Sequence, residues 1–402
     1  MKYVVLLGDG MSDYPLAEKG AKTPLQLSNT PFMDSLAQTG ALGLVKTIPD
    51  GMPPGSDVAN LSVMGYDPAR YYSGRAPIEA ASIGVKLGEH DIAFRCNLVT
   101  LAGDAEQVYM EDYSAGHIPT DDAEVILSAL KQELDLDDIT FYRGVSYRHL
   151  VVWKNGTDKM ITTPPHDITG KNISSYLPQG DGSERLLDLM EKARKIIPAL
   201  PISQQKIQQG KKSANAIWLW GQGRSLSMPT FRKKYGLTGA VISAVDLVKG
   251  LGICAGLTSI DVPGATGYLD TNYEGKARAA LDALQSVDFV YLHVEAPDEA
   301  GHKGNVNEKI QAIEDFDRRV VKLVVEGLRD KFTDYRVLVL PDHPTPIALK
   351  THASDPVPFV LFSSKDLNRT ALQSVGFNEK DAAASGLFIE SGWELMDRFI
   401  KN

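Results

Sequence analysis

Asp288-Phe289-Val290-Tyr291-Leu292-His293-Val294 runs directly into Glu295-Ala296-Pro297-Asp298-Glu299-Ala300-Gly301-His302. The first part is a near-continuous apolar run, the pattern of a strand buried on both faces. If the second part is helical, the i,i+4 spacing of Asp298 and His302 puts both on one face. Downstream, residues near Asn307 to Asp330 carry Ile310, Ile313, Phe316, Val320, Leu323 and Leu328 on one side of an amphipathic helix. Arg336-Val337-Leu338-Val339-Leu340 and Val357-Pro358-Phe359-Val360-Leu361-Phe362 read as further buried strands, and residues near Ser391 to Lys401 as a terminal helix. At the other end, Lys2-Tyr3-Val4-Val5-Leu6-Leu7 is too short for a signal-peptide core and reads as a buried first strand. A helix follows near Pro31 to Gln38, with Asn29-Thr30 to cap it, Pro31 in its first turn and Gly40 at its exit. Strands alternating with helices predict an α/β layer around a mostly parallel sheet.

The middle of the chain reads differently. From about Glu89 to Tyr235 there are more turns, more polar residues and mixed strand signals such as His149-Leu150-Val151-Val152-Trp153. Ser203 to Lys212 is Gln/Lys-rich and reads as an exposed loop or frayed helix end. The expected organisation is one discontinuous domain, residues 1–85 and 238–402, with residues 86–237 inserted as a second domain.

Composition narrows the function classes. The 402 residues carry 51 acids against 42 Lys plus Arg, a formal charge of −9, with 43% hydrophobic residues. That is too apolar for a disordered chain and too acidic for nucleic-acid binding through a global basic field. No apolar run approaches about 18 residues, so no membrane span is expected. Cys96 and Cys254 are the two cysteines, which fits a reducing cytoplasm rather than a disulfide scaffold. Both sit in apolar surroundings.

The chemistry-bearing residues fall at strand ends, where α/β folds place their sites. Asp9 ends the first strand, and Asp298 and His302 follow the strand ending near Val294. Asp342-His343 follows Val337–Leu340, and His352 precedes the strand at Val357. Any one Asp-His pair has an ordinary structural explanation; repeated at successive strand ends, they indicate a two-metal centre. Carboxylate plus imidazole suits a borderline divalent ion such as Mn²⁺ or Zn²⁺ better than Ca²⁺. Pro53-Pro54-Gly55-Ser56-Asp57-Val58-Ala59-Asn60-Leu61 is a turn entering a helix. Ser56 is either a plain N-cap or a nucleophile whose phosphorylated form the helix terminus would favour. His293, inside a strand, reads as a satisfied core or ligand-supporting histidine, and Trp218 and Trp220 read as core. His90 and His149 have no supporting constellation.

Together, Gly8-Asp9-Gly10-Met11, Gly55-Ser56-Asp57-Val58-Ala59-Asn60, the Glu295–His302 segment, Asp342-His343 and His352 resemble the alkaline phosphatase superfamily. More narrowly, the chain resembles cofactor-independent phosphoglycerate mutases of the archaeal type, over essentially its whole length. Tyr113-Ser114-Ala115-Gly116-His117-Ile118 and Gly264-Ala265-Thr266-Gly267-Tyr268-Leu269-Asp270-Thr271-Asn272-Tyr273 match as well. The resemblance implies an alkaline-phosphatase-like three-layer α/β domain with a smaller inserted α+β phosphotransferase domain. It implies one divalent metal on Asp298, His302 and His352, and another on Asp9, Ser56, Asp342 and His343. Mn²⁺ is the first expectation, with Mg²⁺, Co²⁺ or Zn²⁺ as alternatives, and no 2,3-bisphosphoglycerate is required. The implied reaction interconverts 3-phosphoglycerate and 2-phosphoglycerate through phosphorylated Ser56; a metal-dependent phosphohydrolase or another phosphotransferase of the superfamily is the alternative. Holding a carboxylate and a phosphate calls for cationic groups. Candidates are His117, Arg148, His166, Asp167, Arg224 and Lys249, with Asp167 or a neighbouring group as the proton carrier; Arg70 and Arg75 are further candidates by proximity to Ser56. The expected partner is this small molecule, with no nucleic acid and no membrane, and the oligomeric state is left open.

Overall fold

The computed structural model describes residues 1–104, 107–372 and 375–401. It divides into two compact units, Met1–Tyr72 with Ser227–Asn402, and Ser73–Leu226. The expected boundaries were 85/86 and 237/238. The difference has a packing cause at each end. The Arg75–Ser82 helix buries Ala76 and Ala80 against Ala93 and Leu150 of the second unit. Phe231 stacks on Phe289 of the first unit, with ring centroids 4.3 Å apart.

The first unit is built on an α/β sheet. Its strands are β1 Lys2–Gly8, β2 Ala41–Val45, β3 Gly239–Ile242, β4 Thr258–Ile260, β5 Phe289–Val294, β6 Tyr335–Leu340, β7 Val357–Ser363 and β8 Phe388–Ile389. Their spatial order is β4-β3-β5-β1-β6-β7-β2-β8. Only β7 runs against the rest, so the sheet is mixed but largely parallel. β1 is paired on both sides, Leu6 lying opposite Leu292 and Val339. Val4 to Leu7, Val290 to Leu292 and Val337 to Leu340 are fully buried, which explains their unbroken apolar character.

Two helices depart from the expectations. The run after Asn305 is helical over Val306–Phe316 and Lys322–Lys331, with a π-helical turn at Asp317–Val321 between them. The Pro31–Thr39 helix receives no backbone cap from the Thr30 side chain. Instead the buried Asp317 carboxylate accepts the N–H groups of Phe32 at 3.2 Å and Met33 at 2.7 Å. The terminal helix is Glu394–Lys401.

The second unit is an antiparallel sheet with helices, an α+β arrangement. Strand Ile92–Gly103 pairs with Val108–Asp112, Arg148–Trp153 and Ala216–Gly223, and Arg148–Trp153 also pairs with Ile139–Tyr142. Helices Thr120–Leu134 and Ser183–Ile196 bury Ile126, Leu130, Leu186 and Leu189 in the same core as Phe94, Phe141 and Trp218. Of Ser203 to Lys212, read from sequence as an exposed loop or frayed helix end, the part up to Gln208 belongs to the Pro201–Gln208 helix and the rest lies beyond its end. Among the described residues, no helix is long and apolar enough to cross a membrane.

Candidate active site

The first unit brings all of its sequence-predicted metal ligands together. The loop after β5 becomes the Ala296–Lys303 helix because its composition suits one: Pro297, Asp298 and Glu299 lie in the first turn, His302 and Lys303 in the last, and Gly304 ends it at φ 70°. This sets His302 Nε2 3.2 Å from Asp298 Oδ2. His352 Nε2 lies 3.0 Å from His302 Nε2 and 3.6 Å from Asp298 Oδ1. His302 Nδ1 donates to the Lys350 carbonyl at 3.0 Å, which leaves Nε2 facing Asp298 and His352.

A second group lies beside it. Ligand-type atoms of Asp298, His343 and His352 lie within 4.8 Å of one another, as do those of Asp9, Asp342 and His343. His343 Nε2 is 3.6 Å from Asp9 Oδ1, 3.5 Å from Asp342 Oδ2 and 3.1 Å from Ser56 Oγ. Ser56 is the first residue of the Ser56–Val63 helix, and extended Gly55 occupies the cap position. The N-cap expectation for Ser56 is therefore corrected: its hydroxyl makes no backbone cap and faces His343 instead. Gly10, at φ 61°, is required here, because a Cβ would come within 2.8 Å of the Asp298 backbone.

Supporting residues were not legible as such. Asp342 Oδ1 accepts from Gly10 N and His343 N, and its Oδ2 accepts from Asn60 Nδ2 at 2.8 Å. Asn60 also donates to the Ser56 carbonyl and accepts from Tyr291 Oη. The Thr345 hydroxyl bridges Asp298 Oδ1 and His343 Nδ1. Glu295 lies within 4.8 Å of Asp9 and Asp298. Lys276 is fully buried, its Nζ donating to the His293 carbonyl at 3.1 Å. The one sequence signal for Asn60 was its i+4 spacing from Ser56, and for Glu295 its place ahead of Asp298 in the same motif.

The electrostatics fit a divalent-cation centre. Burial, with Asp342, Asp298 and Glu295 nearby, pushes the Asp9 carboxyl well above its ordinary range. No hydrogen-bond donor among the described residues reaches the buried Asp9 Oδ1. Burial opposes ionisation of Asp298 too, but hydrogen bonds from His302 and His352 hold it well below the usual range. Burial lowers His302 as well, yet its bond to Asp298 prevails and raises it to about 9. His343 is lowered by burial, and burial takes Lys276 down to about 8. Clustered carboxylates, an unserved carboxylate oxygen and inward imidazole nitrogens are the donor set that Mn²⁺, Mg²⁺, Co²⁺ or Zn²⁺ accepts.

The other sequence candidates are divided. In the second unit, a band of rings and cations links His117, Arg148 and His166. His117 and Arg148 both lie against Tyr147, Tyr147 against Tyr113, and Tyr113 against His166, whose ring is 5.4 Å from Trp220. The Arg95 guanidinium lies 4.6 Å over Trp220, and Glu79 pairs with both Arg95 and Arg75. Burial lowers His166, Asp167 offsets this at 3.6 Å, and Arg75 and Arg95 lower it further. Arg95 and Glu79 were missed; the signal was an arginine inside the apolar run Ile92–Leu98, and Arg75–Glu79 at i,i+4. Trp218 and Trp220 are buried as expected, although Trp220 also carries Arg95. Arg224 is paired with Asp158 at 3.1 Å. Lys249 belongs to the first unit and is paired with Asp261 at 2.6 Å. Arg70 is exposed over Tyr71.

Comparison with known proteins follows this geometry. Residues 37–203 match the family model for 2,3-bisphosphoglycerate-independent phosphoglycerate mutase. A probable 2,3-bisphosphoglycerate-independent phosphoglycerate mutase of Geobacter sulfurreducens is 54% identical over 400 residues, covering 100% of both chains. A solved structure from Pyrococcus horikoshii is 27% identical with a TM-score of 0.81, covering 99% of this chain and 96% of that one. The cofactor-independent phosphoglycerate mutase of Thermoplasma acidophilum is 26% identical with a TM-score of 0.66, covering 100% and 99%. Full-length identity at this level carries the assignment: the chain belongs to the family of 2,3-bisphosphoglycerate-independent phosphoglycerate mutases.

Proposed function

We propose that this chain interconverts 3-phosphoglycerate and 2-phosphoglycerate by passing the phosphoryl group through Ser56. The observation that carries the reading is the Ser56 hydroxyl, 3.1 Å from His343 Nε2 at the start of a helix and beside the Asp9–Asp342–His343 group. Asp298, His302 and His352 would hold one divalent ion, and Asp9, Ser56, Asp342 and His343 the other. Mn²⁺ is the ion we expect first. When bound, the ions would lower the pKa of the serine hydroxyl and offset phosphoryl charge.

Ser56 Oγ attacks phosphorus as the bond to the glycerate oxygen breaks, and that oxygen takes up a proton. The other glycerate hydroxyl then attacks the phosphoserine, gives up its proton and restores Ser56. The N-terminus of the Ser56 helix favours the phosphorylated serine, although its Val58 N–H is already taken by the Asp57 carboxylate at 3.0 Å. Lys276 adds a cation beside Glu295. Oxyanions of the substrate are assigned to His117, Arg148 and His166, extended by Arg95 and Arg75, and proton carriage to Asp167. Arg224 and Lys249 remain candidates for the same work, each paired with a carboxylate as Arg75 and Arg95 are with Glu79. The free thiols of Cys96 and Cys254 support a cytoplasmic setting.

The test supplies 3-phosphoglycerate and Mn²⁺ to the full chain, with an enolase-coupled readout and a phosphate assay in parallel. Formation of 2-phosphoglycerate without free phosphate, with Ser56 phosphorylated on acid quenching, is expected. Phosphate release without 2-phosphoglycerate overturns the mutase reading in favour of a hydrolase.

A further inference from the structure

His293 lies at the end of β5, opposite Leu7 of β1, and Asp9 N donates to the carbonyl of the next residue, Val294, at 2.8 Å. Strand pairing thus fixes an entirely buried imidazole beside the carboxylate-bearing loop. The hydrogen bonds around the ring assign its protons. Val245 N donates to Ser243 Oγ at 3.0 Å, and that hydroxyl lies 3.2 Å from His293 Nδ1. His293 Nε2 lies 2.9 Å from Asp9 Oδ2. With Asp9 ionised, as it must be to bind a metal ion, a ring proton on Nδ1 would set the Nε2 lone pair against the carboxylate. The favourable tautomer therefore has Ser243 donating to Nδ1 and Nε2–H donating to Asp9 Oδ2. The other carboxylate oxygen, Oδ1, is buried and reached by no donor among the described residues.

We propose that His293 is a positioning residue: held in one tautomer by Ser243, it engages Asp9 Oδ2 and so leaves Oδ1 as the oxygen offered to a metal ion. The inference rests on the reading of Asp9 as a ligand. It adds Ser243 and His293 as a relay from the core of the sheet to the centre. Such partners of ligating groups commonly change metal affinity by roughly 10–100-fold when removed.

The experiment titrates Mn²⁺ into chelator-treated, full-length protein by calorimetry. His293→Leu keeps apolar volume without a donor, and His293→Gln restores an amide N–H. The expected result is an affinity loss of roughly 10–100-fold for the leucine variant, largely rescued by glutamine. Equal affinities for the leucine variant and wild type, or equal losses for leucine and glutamine, overturn the proposal. Should the leucine variant fail to fold, Ser243→Ala decides: weakened Mn²⁺ binding supports the relay and unchanged binding overturns it. Asp9→Asn is the separate control. If it binds both ions like wild type, the ligand reading itself fails, whatever the His293 variants do.

Discussion

The Asp317 carboxylate accepts the Met33 N–H at 2.7 Å, capping a helix that lies 284 residues earlier in the chain. Burial raises this carboxyl to about 6, although the Met33 and Phe32 amides pull it down. The folded value exceeds the ordinary 3.8, so between them the folded state keeps a proton that the unfolded chain has released. Stability from that proton is complete below pH about 4 and is lost as pH rises through about 6. Asp317→Asn retains an acceptor but cannot titrate. Relative to this variant, wild type should gain roughly 2 kcal/mol on going from pH 7 to pH 4. Paired urea midpoints across that range measure it; a parallel dependence in both proteins contradicts the assignment.

Metal uptake should release protons. In the metal-free protein His302 is raised to about 9 by Asp298, so at neutral pH its imidazole is charged and the cation must displace a proton. If His302 is a ligand as proposed, apparent Mn²⁺ affinity at its site should climb by about tenfold per pH unit between pH 7 and 9. Calorimetry in buffers of different ionisation enthalpy counts the protons directly, and a pH-independent affinity would falsify the role given to His302.

Ser56→Ala should lower kcat for mutase activity by at least about 10³-fold, because the phosphoryl group then has no acceptor. The helix and the His343 environment survive the change, so Mn²⁺ should still bind at the Asp298 group. The coupled assay together with calorimetry separates loss of the nucleophile from loss of the centre. Retention of full activity would rule out the covalent route.

The helix positions were largely legible, and so were the strands that carry the ligands. Both rest on local patterns: unbroken apolar runs for β1, β5 and β6, and the Pro297–Gly304 composition for the helix behind Asp298. The candidate ligands Asp9, Asp298, Asp342 and His343 were visible because each follows closely on such a run, whereas His352 and Ser56 lie apart from them. What sequence did not reveal depends on pairing across hundreds of residues. Nothing local to Asn60 announces Asp342, and nothing near Thr345 announces Asp298. The π-helical turn at Asp317 preserves the apolar stripe on either side, so the pattern reads as one regular helix. Ser56 illustrates the same limit. Its local sequence favours an N-cap, but Gly55 takes that position and a residue 287 positions away claims the hydroxyl.

Lys309 is fully buried and donates to Asp13 Oδ2 at 2.8 Å, and to the carbonyls of Ser12 and Thr345. Lys309→Met should cost about 3–5 kcal/mol, since it strands the Asp13 carboxylate in the interior. Combining it with Asp13→Leu should recover part of that loss. Urea unfolding of the single and double variants provides the cycle; strict additivity would show that the two side chains do not act as a pair.

Glu79 pairs with Arg95 at 3.1 Å and with Arg75 at 2.9 Å. Glu79→Gln removes the charge that orients both guanidiniums, and should raise the KM for 3-phosphoglycerate by about tenfold with a smaller effect on kcat. Steady-state kinetics of this variant checks it, and an unchanged KM would remove Arg75 and Arg95 from the binding surface.

The place of β1 also orders events during synthesis. Leu6 is made well before both of its neighbours, Leu292 and Val339. The first strand must therefore wait unpaired while the ribosome completes Ser73–Leu226, a contiguous unit able to close its own sheet first. The grouping of Asp9 with Asp342 and His343 obeys the same order: it can assemble only after the inserted unit and β6 have both been made.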